Sequence, residues 1–434
     1  VNFGPALQDT SAESTRSAIA ALGVETYRDR AYPWRQLHHG FIKTARKNLR
    51  SMAFADPLSG ELNYFKALVG SIAFARKLKT LLDKQEMVGV LVPPSVGGAL
   101  TNIALAMLGR VPVNLNYTAS NEALASCVRQ CNITQVLTSK KLLERLPIEV
   151  PGQSLFLEDI RETVSSKDRI VAMLIALFCP ISVIESLLGT PKRTLDSLGT
   201  IIFSSGSEGE PKGVMLTQKN LMANAFQVLE TFPHDKNTCI VGFLPFFHSF
   251  GYTVTLWLVS LWGLRAVYHS NPLEPKVIGG LIEKYKATIM IATSTFLQHF
   301  IRRCTKEQLA SLEFVVCGAE KMAPRVRDAF QEKFGVEPLE GYGTTECAPG
   351  VSVNAPDLVS PGFCSKMVRR GTIGRAFPGQ AMRVVDPDTE AALPLGTAGL
   401  LQVKGPNIMK GYLHLEEKTK KVLQDGWYST GDIA

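Results

Sequence analysis

Short apolar runs alternate with helical patterns along most of the chain. This alternation restricts the possible fold classes more than any other feature of the sequence. The runs Met87–Val92 and Gln135–Thr138 look like strands, and helical segments separate them. The same rhythm returns between Thr200–Phe203 and Phe314–Cys317. Strands that alternate with helices indicate βαβ units and parallel sheets. We therefore predict an α/β fold with two such sheets, one on each side of residues 169–189.

The chain divides by pattern into four segments. Residues 1–13 form a strand-like tail, and residues 14–190 start mostly helical, up to Lys84, before the first α/β subdomain. Residues 191–370 form the second α/β subdomain. In residues 371–434 the helical patterns end, and short strands between Gly and Pro predict a small β-barrel or a distorted sheet. A chain of 434 residues is too long for one compact core, so several units are expected.

The charge balance points to acidic partners. The formal net charge is +8, which suits nucleotides, anionic lipids or acidic carrier proteins. The charge is spread along the chain without a nucleic-acid-binding motif, so we expect no nucleic-acid partner. Lys43, Arg46, Lys47 and Arg50 share one predicted helix face. That face is either solvated or a docking site for phosphate-bearing surfaces.

The most apolar window covers residues 169–189. Pro180 interrupts this window, and Glu185 adds a charged residue to it. Its apolar core is therefore shorter than the ~20 residues that a helix needs to cross a bilayer. Two interpretations stay open: a core or hinge-flanking helix, and a helix that lies on a membrane surface.

A Ser/Gly-rich segment, Phe203–Gly213, follows an apolar strand and precedes a predicted helix, and it has the composition of a phosphate-binding loop. Glycines allow close backbone approach, hydroxyls add donors, and a lysine adds a point charge. The spacing differs from the P-loop of kinases. The candidate nucleotide-binding residues of this segment are Ser204, Ser205, Gly206, Ser207, Gly209 and Lys212.

Three further segments carry candidate residues. His248 lies in the aromatic run Phe243–Gly251, where it is either a core histidine or the mouth of an apolar pocket. A strand that runs into the turn Gly318–Glu320 offers backbone on which a ring can lie flat. Asp432, in a tight turn, is suited to accept hydrogen bonds from ribose hydroxyls.

The segment Glu340–Cys347 combines an aromatic ring, hydroxyls and a carboxylate. Tyr342 is suited to stack on a base, and Glu346 is a hard oxygen ligand for Mg²⁺ that bridges phosphates. Gly343, Thr344 and Thr345 complete the candidate site.

With these motifs in this order, the sequence resembles the adenylate-forming (AMP-binding) superfamily, which includes acyl-CoA synthetases, peptide-synthetase adenylation domains and luciferases. The resemblance runs from about residue 20 to the end. It implies the large N-terminal domain of such an enzyme, with ATP and Mg²⁺ as cofactors, and activation of a carboxylic acid as acyl adenylate. The roles that it implies are β,γ-phosphate binding by Ser204–Lys212, Mg²⁺ binding by Glu346, adenine stacking by Tyr342, an adenine-side wall of Gly318, Ala319 and Glu320, α-phosphate contact by Thr345, ribose binding by Asp432, and a place for His248 at the acyl channel.

Within the superfamily the sequence is most similar to the acyl-ACP synthetase part of the bifunctional 2-acylglycerophosphoethanolamine acyltransferase/acyl-ACP synthetases. The features in common are Ser204–Gly209 with Glu208 where most of the superfamily has Thr, the run Leu244–Gly251, and the run Leu339–Pro349, with Lys404–Tyr412 later in the chain. This resemblance implies a fatty acid and acyl carrier protein or CoA as partners, peripheral membrane contact, and a cytoplasmic location at the inner membrane. It also implies that residues 1–13 end an acyltransferase-like domain.

Two alternatives remain at this point. One is an acyl-CoA synthetase or an amino-acid-activating domain on the same scaffold, although the uncharged residues after Gly251 favour a fatty chain. The other is a nucleotide- or acyl-binding module with little catalysis. The family's mobile C-terminal domain supplies an Arg and a Lys, and we expect it to be absent because the chain stops at Ala434.

Overall fold

A computed structural model describes residues 4, 7, 9, 11–30, 32–204, 210–360 and 363–434 of the chain. The predicted tail 1–13 lies largely outside the described residues, and a helix already begins at Ala12.

The α-helices of the described residues mostly begin at Ser, Thr or Asn caps and bury one face. They are α1 (Ala12–Arg28), α2 (Leu37–Lys47), α3 (Tyr64–Leu81), α4 (Val96–Met107), α5 (Asn121–Gln130), α6 (Lys140–Leu143), α7 (Leu157–Glu162), α8 (Ser166–Phe178), α9 (Ile181–Leu188), α10 (Gln218–Thr231), α11 (Val259–Trp262), α12 (Pro275–Tyr285), α13 (Ser294–Arg303), α14 (Pro324–Phe334) and α15 (Glu416–Val422). A π-helix spans Gly251–Leu258, and 3-10 turns span Glu307–Leu309 and Thr345–Cys347.

The strands are short, as the apolar runs predict. They are β1 (Met52–Asp56), β2 (Gly60–Asn63), β3 (Met87–Leu91), β4 (Val111–Asn114), β5 (Gln135–Thr138), β6 (Gln153–Phe156), β7 (Leu198–Ser204), β8 (Lys212–Thr217), β9 (Cys239–Gly242), β10 (Arg265–Tyr268), β11 (Ile289–Ala292), β12 (Phe314–Cys317), β13 (Pro338–Gly343), β14 (Gly350–Val353), β15 (Leu358–Ser360), β16 (Phe363–Ser365), β17 (Arg375–Ala376), β18 (Ala381–Val385), β19 (Leu400–Lys404), β20 (Gly411–Tyr412), β21 (Leu423–Gln424) and β22 (Trp427–Ile433).

The α/β architecture with two main sheets is confirmed. Strands β4-β3-β5-β6 form a parallel sheet. A nine-stranded sheet has the order β17-β14-β13-β12-β11-β9-β10-β1-β2, with parallel pairing from β13 to β1. Helices cover these strands, which carry the apolar side chains of a buried core. The carboxyl ends of β11, β12 and β13 therefore lie at one edge, where α/β proteins place their ligands.

The stretch before Lys84 is mostly helical, as predicted, but it also contains strands. Strands β1 and β2 lie within it, and β1 pairs with β10 of the second sheet, Phe54 opposite Ala266. The second sheet thus draws strands from both sides of residues 169–189. Every residue of β1 is buried, a pattern that a short strand shares with a buried helix segment.

The prediction for residues 371–434 needs one correction. A short helix, α15, lies among the strands. Strands β18-β19-β22-β21 form a four-stranded sheet whose neighbouring strands are antiparallel, with β18 and β21 at its edges. The described residues therefore show a sheet here, and the barrel form is not confirmed.

Part of the predicted basic face has a structural use. The Arg46 guanidinium donates hydrogen bonds to the carbonyls of Ala176 (2.8 Å) and Cys179 (2.5 Å), at the last turn of α8. Carbonyls at a helix end need such partners. Lys43, Lys47 and Arg50 stay exposed. Arg46 thus fixes α8 to α2, and only the other three side chains fit a solvated face.

Residues 169–189 form two helices, α8 and α9, on either side of Pro180. In the part of the chain that the structure describes, no helix combines the length and the apolar character that a membrane crossing requires. Both helices have buried residues and also exposed apolar ones.

A histidine pair ties α9 to α2. His38 and His39 lie 3.1 Å and 2.7 Å from the same carboxylate oxygen of Glu185. Hydrogen bonds, first from His38, lower the pKa of Glu185 to about 2. The pKa of His38 is also lowered, because burial outweighs its hydrogen bond to Glu185. His38 is therefore neutral in the folded chain at neutral pH.

The free energy of unfolding should fall as the pH drops below about 6.5, the ordinary histidine pKa. There the unfolded chain binds a proton that folded His38 does not bind, so acid favours unfolding. The slope that His38 contributes should be at most about 1.4 kcal/mol per pH unit. Urea unfolding between about pH 7.5 and 5.5 measures it. His38→Gln, which keeps a hydrogen-bond donor without titrating, should flatten the curve; an unchanged slope would contradict this account.

Candidate functional site

A cavity of about 260 Å³ lies between the nine-stranded sheet and the helices that cover it. One wall is the sheet, through β11 and β12, and the other is formed by α10 and the π-helix. The apolar side chains that line it include Val228, Leu229, Phe232, Val254, Leu258, Leu264, Ile289, Ile291, Val316, Val353 and Phe377. The lining is the kind that accepts a hydrocarbon chain.

Predicted site residues line the same cavity at the carboxyl ends of the strands. They are His248, Gly318, Ala319, Tyr342, Gly343, Thr344 and Thr345. The structure thus brings together three motifs that are separated by up to a hundred residues in the sequence. The roles that we assign to them remain predictions.

The backbone at this edge takes conformations that favour close contact with a ligand. Ala319 has a φ of +67°, a left-handed value that is uncommon for a residue with a Cβ. At Gly343 a Cβ would lie 2.2 Å from the carbonyl oxygen of Pro349, so only glycine fits. Such constraints cluster at ligand sites.

His248 has a defined hydrogen-bonding state. Its Nδ1 accepts a hydrogen bond of 3.3 Å from the backbone N–H of Phe250. Desolvation by its surroundings lowers the pKa of His248, although the side chain keeps an exposed part at the cavity. The neutral ring therefore carries its proton on Nε2, which can donate to a carboxylate.

Local packing holds this histidine in place. The backbone N–H of His248 donates to the Pro245 carbonyl, and Tyr252 in the π-helix donates to the His248 carbonyl. A Cβ on Gly251 would lie 2.3 Å from the Pro245 oxygen. The π-helix can begin at Gly251 because glycine permits this close approach.

Tyr342 and Asp432 are in direct contact. The Tyr342 hydroxyl donates a hydrogen bond to Oδ2 of Asp432. Burial, followed by this bond, raises the pKa of Tyr342. The ring predicted to stack on adenine and the carboxylate predicted to bind ribose are therefore neighbours, as one nucleoside requires.

Lys212 and Glu346 both contact the side chain of Tyr412. The sequence motifs did not indicate this tyrosine as a site residue. The Lys212 ammonium lies 5.9 Å from the centre of the Tyr412 ring. The Tyr412 hydroxyl donates a 2.8 Å hydrogen bond to Oε1 of Glu346. Burial, with the Glu346 charge as a further cause, raises the pKa of Tyr412, so the phenol stays neutral. Tyr412 is the last residue of the run Lys404–Tyr412. Its place in that run was the one feature of the sequence that could have indicated it as a site residue.

The phosphate-loop segment needs one correction. Ser204 and Lys212 are paired across the antiparallel strands β7 and β8, so the segment links two strands and helix α10 starts only after β8. Anion binding by a helix end therefore does not apply. Ser205, Gly206, Ser207, Glu208 and Gly209 lie outside the described residues.

The Glu320 side chain serves a structural contact. Its carboxylate accepts hydrogen bonds from the backbone N–H and the hydroxyl of Thr295, the latter at 3.2 Å, in the first turn of α13. Of the three residues predicted to form the adenine-side wall, Gly318 and Ala319 therefore line the cavity, and the Glu320 side chain binds Thr295 instead.

Chemically, the arrangement offers a neutral imidazole donor and hydroxyls at one end of an apolar cavity, and the Asp432 carboxylate is hydrogen-bonded to the lining residue Tyr342. Such a site suits a substrate with an acidic head and an apolar tail next to a nucleotide. The apolar wall from α10 was not predicted as part of the site, although Val228 and Phe232 follow helical i, i+4 spacing.

Comparisons with known proteins agree with this geometry. The family model of the AMP-binding enzymes matches residues 42–413. A probable 4-coumarate–CoA ligase 1 of Dictyostelium discoideum is 34% identical over 240 residues, covering 54% of this chain and 42% of that protein. A long-chain-fatty-acid–CoA ligase of Salmonella typhimurium is 33% identical over 252 residues, covering 56% and 43%.

The fold is also that of a solved enzyme structure. The ATP-bound MatB of Rhodopseudomonas palustris superposes with a TM-score of 0.74 at 22% identity, covering 91% of this chain and 76% of that one. The chain aligns with less than half the length of the two curated relatives above, 42% and 43%. Because the family model covers most of the sequence, the chain belongs to the AMP-binding enzyme family.

Proposed function

We propose that the chain binds ATP and a fatty acid and converts the fatty acid to an acyl adenylate. The acyl group is then transferred from the adenylate to a thiol. In the first step a carboxylate oxygen attacks the α-phosphorus of ATP and pyrophosphate leaves. In the second step the thiol sulfur forms a thioester and AMP leaves. The observation that carries the proposal is the apolar cavity that opens at His248, Thr345 and Tyr342.

The apolar cavity favours a fatty acid over an amino acid. An ammonium group would need a buried acidic partner, and none of the described residues that line the cavity is Asp or Glu. At its mouth, Nε2 of His248 is the donor that we assign to the fatty carboxylate. A hydrogen bond from a neutral donor orients that carboxylate without neutralising its charge.

The nucleotide side rests on two contacts. Tyr342 and Asp432 are hydrogen-bonded to each other, which places an aromatic ring beside a carboxylate for adenine and ribose. Lys212 and Ser204 stand at the two ends of the phosphate-loop segment. We assign this segment to the β,γ-phosphates.

The residues present also fit Mg²⁺ with its preference for oxygen ligands. The Glu346 carboxylate offers about four acceptor positions, and Tyr412 occupies one of them. When bound, the ion would neutralise phosphate charge. Glu346 is half-buried and held in place through its own backbone carbonyl, which accepts a 2.7 Å hydrogen bond from Met409.

For the thiol we propose acyl carrier protein, on the resemblance of Ser204–Gly209 and Lys404–Tyr412 to acyl-ACP synthetases. CoA is the second candidate, because the relative from Salmonella typhimurium is a long-chain-fatty-acid–CoA ligase. On the same resemblance we place the chain in the cytoplasm at the inner membrane.

ATP–pyrophosphate exchange tests the first step. We expect exchange with palmitate, at least about tenfold less with acetate, and none with amino acids, since a short acid leaves the apolar cavity unfilled. Exchange that only amino acids support would overturn the proposal. Binding of ATP and palmitate in calorimetry without exchange would instead support a binding module. Thioester assays with acyl carrier protein and CoA then separate the two acceptors.

A further inference from the structure

Helices α8 and α9 carry a concentration of exposed apolar side chains. Of the fourteen large apolar residues that are exposed among the described ones, six lie on these two helices. They are Ile170, Leu174, Leu177, Phe178, Val183 and Leu187, with exposed fractions from 39% to 75%. We call these six residues the α8–α9 apolar face.

The face follows helical geometry. Ile170, Leu174 and Phe178 are spaced four residues apart, so they share one side of α8. The opposite side, with Ala172 and Ala176, is fully buried, and α8 packs against α3. Both sides of α8 are therefore apolar, although only one is covered. A helix that is apolar on all sides normally has a partner on each of them.

Helix α9 repeats this arrangement. Val183 and Leu187 are exposed, whereas Ile184 and Leu188 are buried against the body of the chain. The hydrogen bonds of Glu185 to His38 and His39 hold α9 in this orientation.

The charges around the face are arranged asymmetrically. Both acidic residues between Ser166 and Lys192 are bound to the body of the chain. Asp168 pairs with Lys77 at 2.9 Å, and Glu185 pairs with the two histidines. The cations Lys167, Arg169 and Lys192 are exposed. The charge that this region offers to a partner is therefore positive.

Further cations stand at the ends of the two helices. Lys79 is exposed and donates a 2.8 Å hydrogen bond to the Leu187 carbonyl at the end of α9. At the end of α8, Arg46 binds the last-turn carbonyls, and its helix α2 also carries exposed Lys43 and Lys47. Apolar residues bordered by lysine and arginine are typical of helices that lie in the interface of an anionic membrane.

We propose that the α8–α9 apolar face docks on an anionic phospholipid membrane, with both helices in the plane of the interface. The apolar side chains enter the boundary between headgroups and acyl chains, and the cations contact lipid phosphates. This inference is independent of the proposed enzymatic activity, because it rests on helices outside the cavity.

Vesicle co-sedimentation of the 434-residue chain tests the proposal. We expect binding to phosphatidylcholine vesicles that contain about 30% phosphatidylglycerol, and much weaker binding to pure phosphatidylcholine or at high salt. The double variant Leu174→Ser/Phe178→Ser should lower the partition coefficient at least about tenfold. Lys167→Gln/Arg169→Gln should lower binding to the anionic vesicles about tenfold and leave binding to neutral ones unchanged.

The matched control is Leu58→Ser/Leu395→Ser, which removes two side chains that are 73% and 72% exposed elsewhere. It should bind vesicles like the unmodified chain. The proposal fails if the unmodified chain does not bind anionic vesicles, or if control and face variants lose binding equally. It also fails if light scattering shows a dimer that only the face variant dissociates, or if the face binds acyl carrier protein but no vesicles.

Discussion

Replacing Glu346 by glutamine is expected to reduce ATP–pyrophosphate exchange by about a hundredfold to a thousandfold, the size of effect that follows loss of one group that stabilises a charged transition state. Glutamine keeps an oxygen that accepts the 2.8 Å hydrogen bond from Tyr412, so the local packing is preserved. It removes the negative charge that we assign to Mg²⁺. The measurement is exchange at saturating palmitate and increasing Mg²⁺.

The partner variant Tyr412→Phe separates charge from positioning. It removes the hydrogen bond to Glu346 and leaves the carboxylate, so we expect a smaller loss of about threefold to tenfold. Because Tyr412 is largely buried, its thermal unfolding must be compared with that of the unmodified chain. Exchange by Glu346→Gln at the unmodified rate would remove the Mg²⁺ assignment and leave the ATP site itself untouched.

The two main sheets were predictable because their strands are local signals. β5 and β12 have the bounds of the predicted runs, and turn residues or helical patterns flank them. Parallel strands that are buried on both faces are near-continuous apolar runs, which stand out in a sequence. Where a run follows this rule, the sequence is sufficient to place the element.

Strand β1 was not predictable, because its partner is distant. Its Phe54 pairs with Ala266, and buried Asp56 accepts a hydrogen bond from the backbone of Val96. No residue near Met52–Asp56 in the sequence signals these contacts. Strand propensity depends strongly on such context.

The site shows the same division. The motifs around Gly318 and Tyr342 were recognisable from composition, and the parallel sheet brings them to one edge. The direction of the Glu320 side chain and the link from Lys212 through Tyr412 to Glu346 depend on packing between distant segments. The sequence therefore predicts the chemical groups of the candidate site, whereas the structure shows which of the described ones face the cavity.

The position of Val316 in the cavity lining leads to a second large effect, on substrate choice. Val316 lines the cavity from β12, two residues before Gly318, and alternate strand residues face the same side about 6–7 Å apart. A phenylalanine there should block the path of a long acyl chain beyond its first few carbons. We expect Val316→Phe to reduce kcat/KM for palmitate by about a hundredfold and to leave butyrate within about threefold.

Val316→Ala is the matched control, since it widens the cavity at the same position. It should keep palmitate activation and lose selectivity against branched acids, because the removed methyl groups restrict the width of the channel. Both variants must unfold near the temperature of the unmodified chain, as overpacking alone can cost about 1–3 kcal/mol. If Val316→Phe reduces palmitate and butyrate equally while the fold is intact, the acyl chain does not run along β12, and the apolar cavity has another occupant.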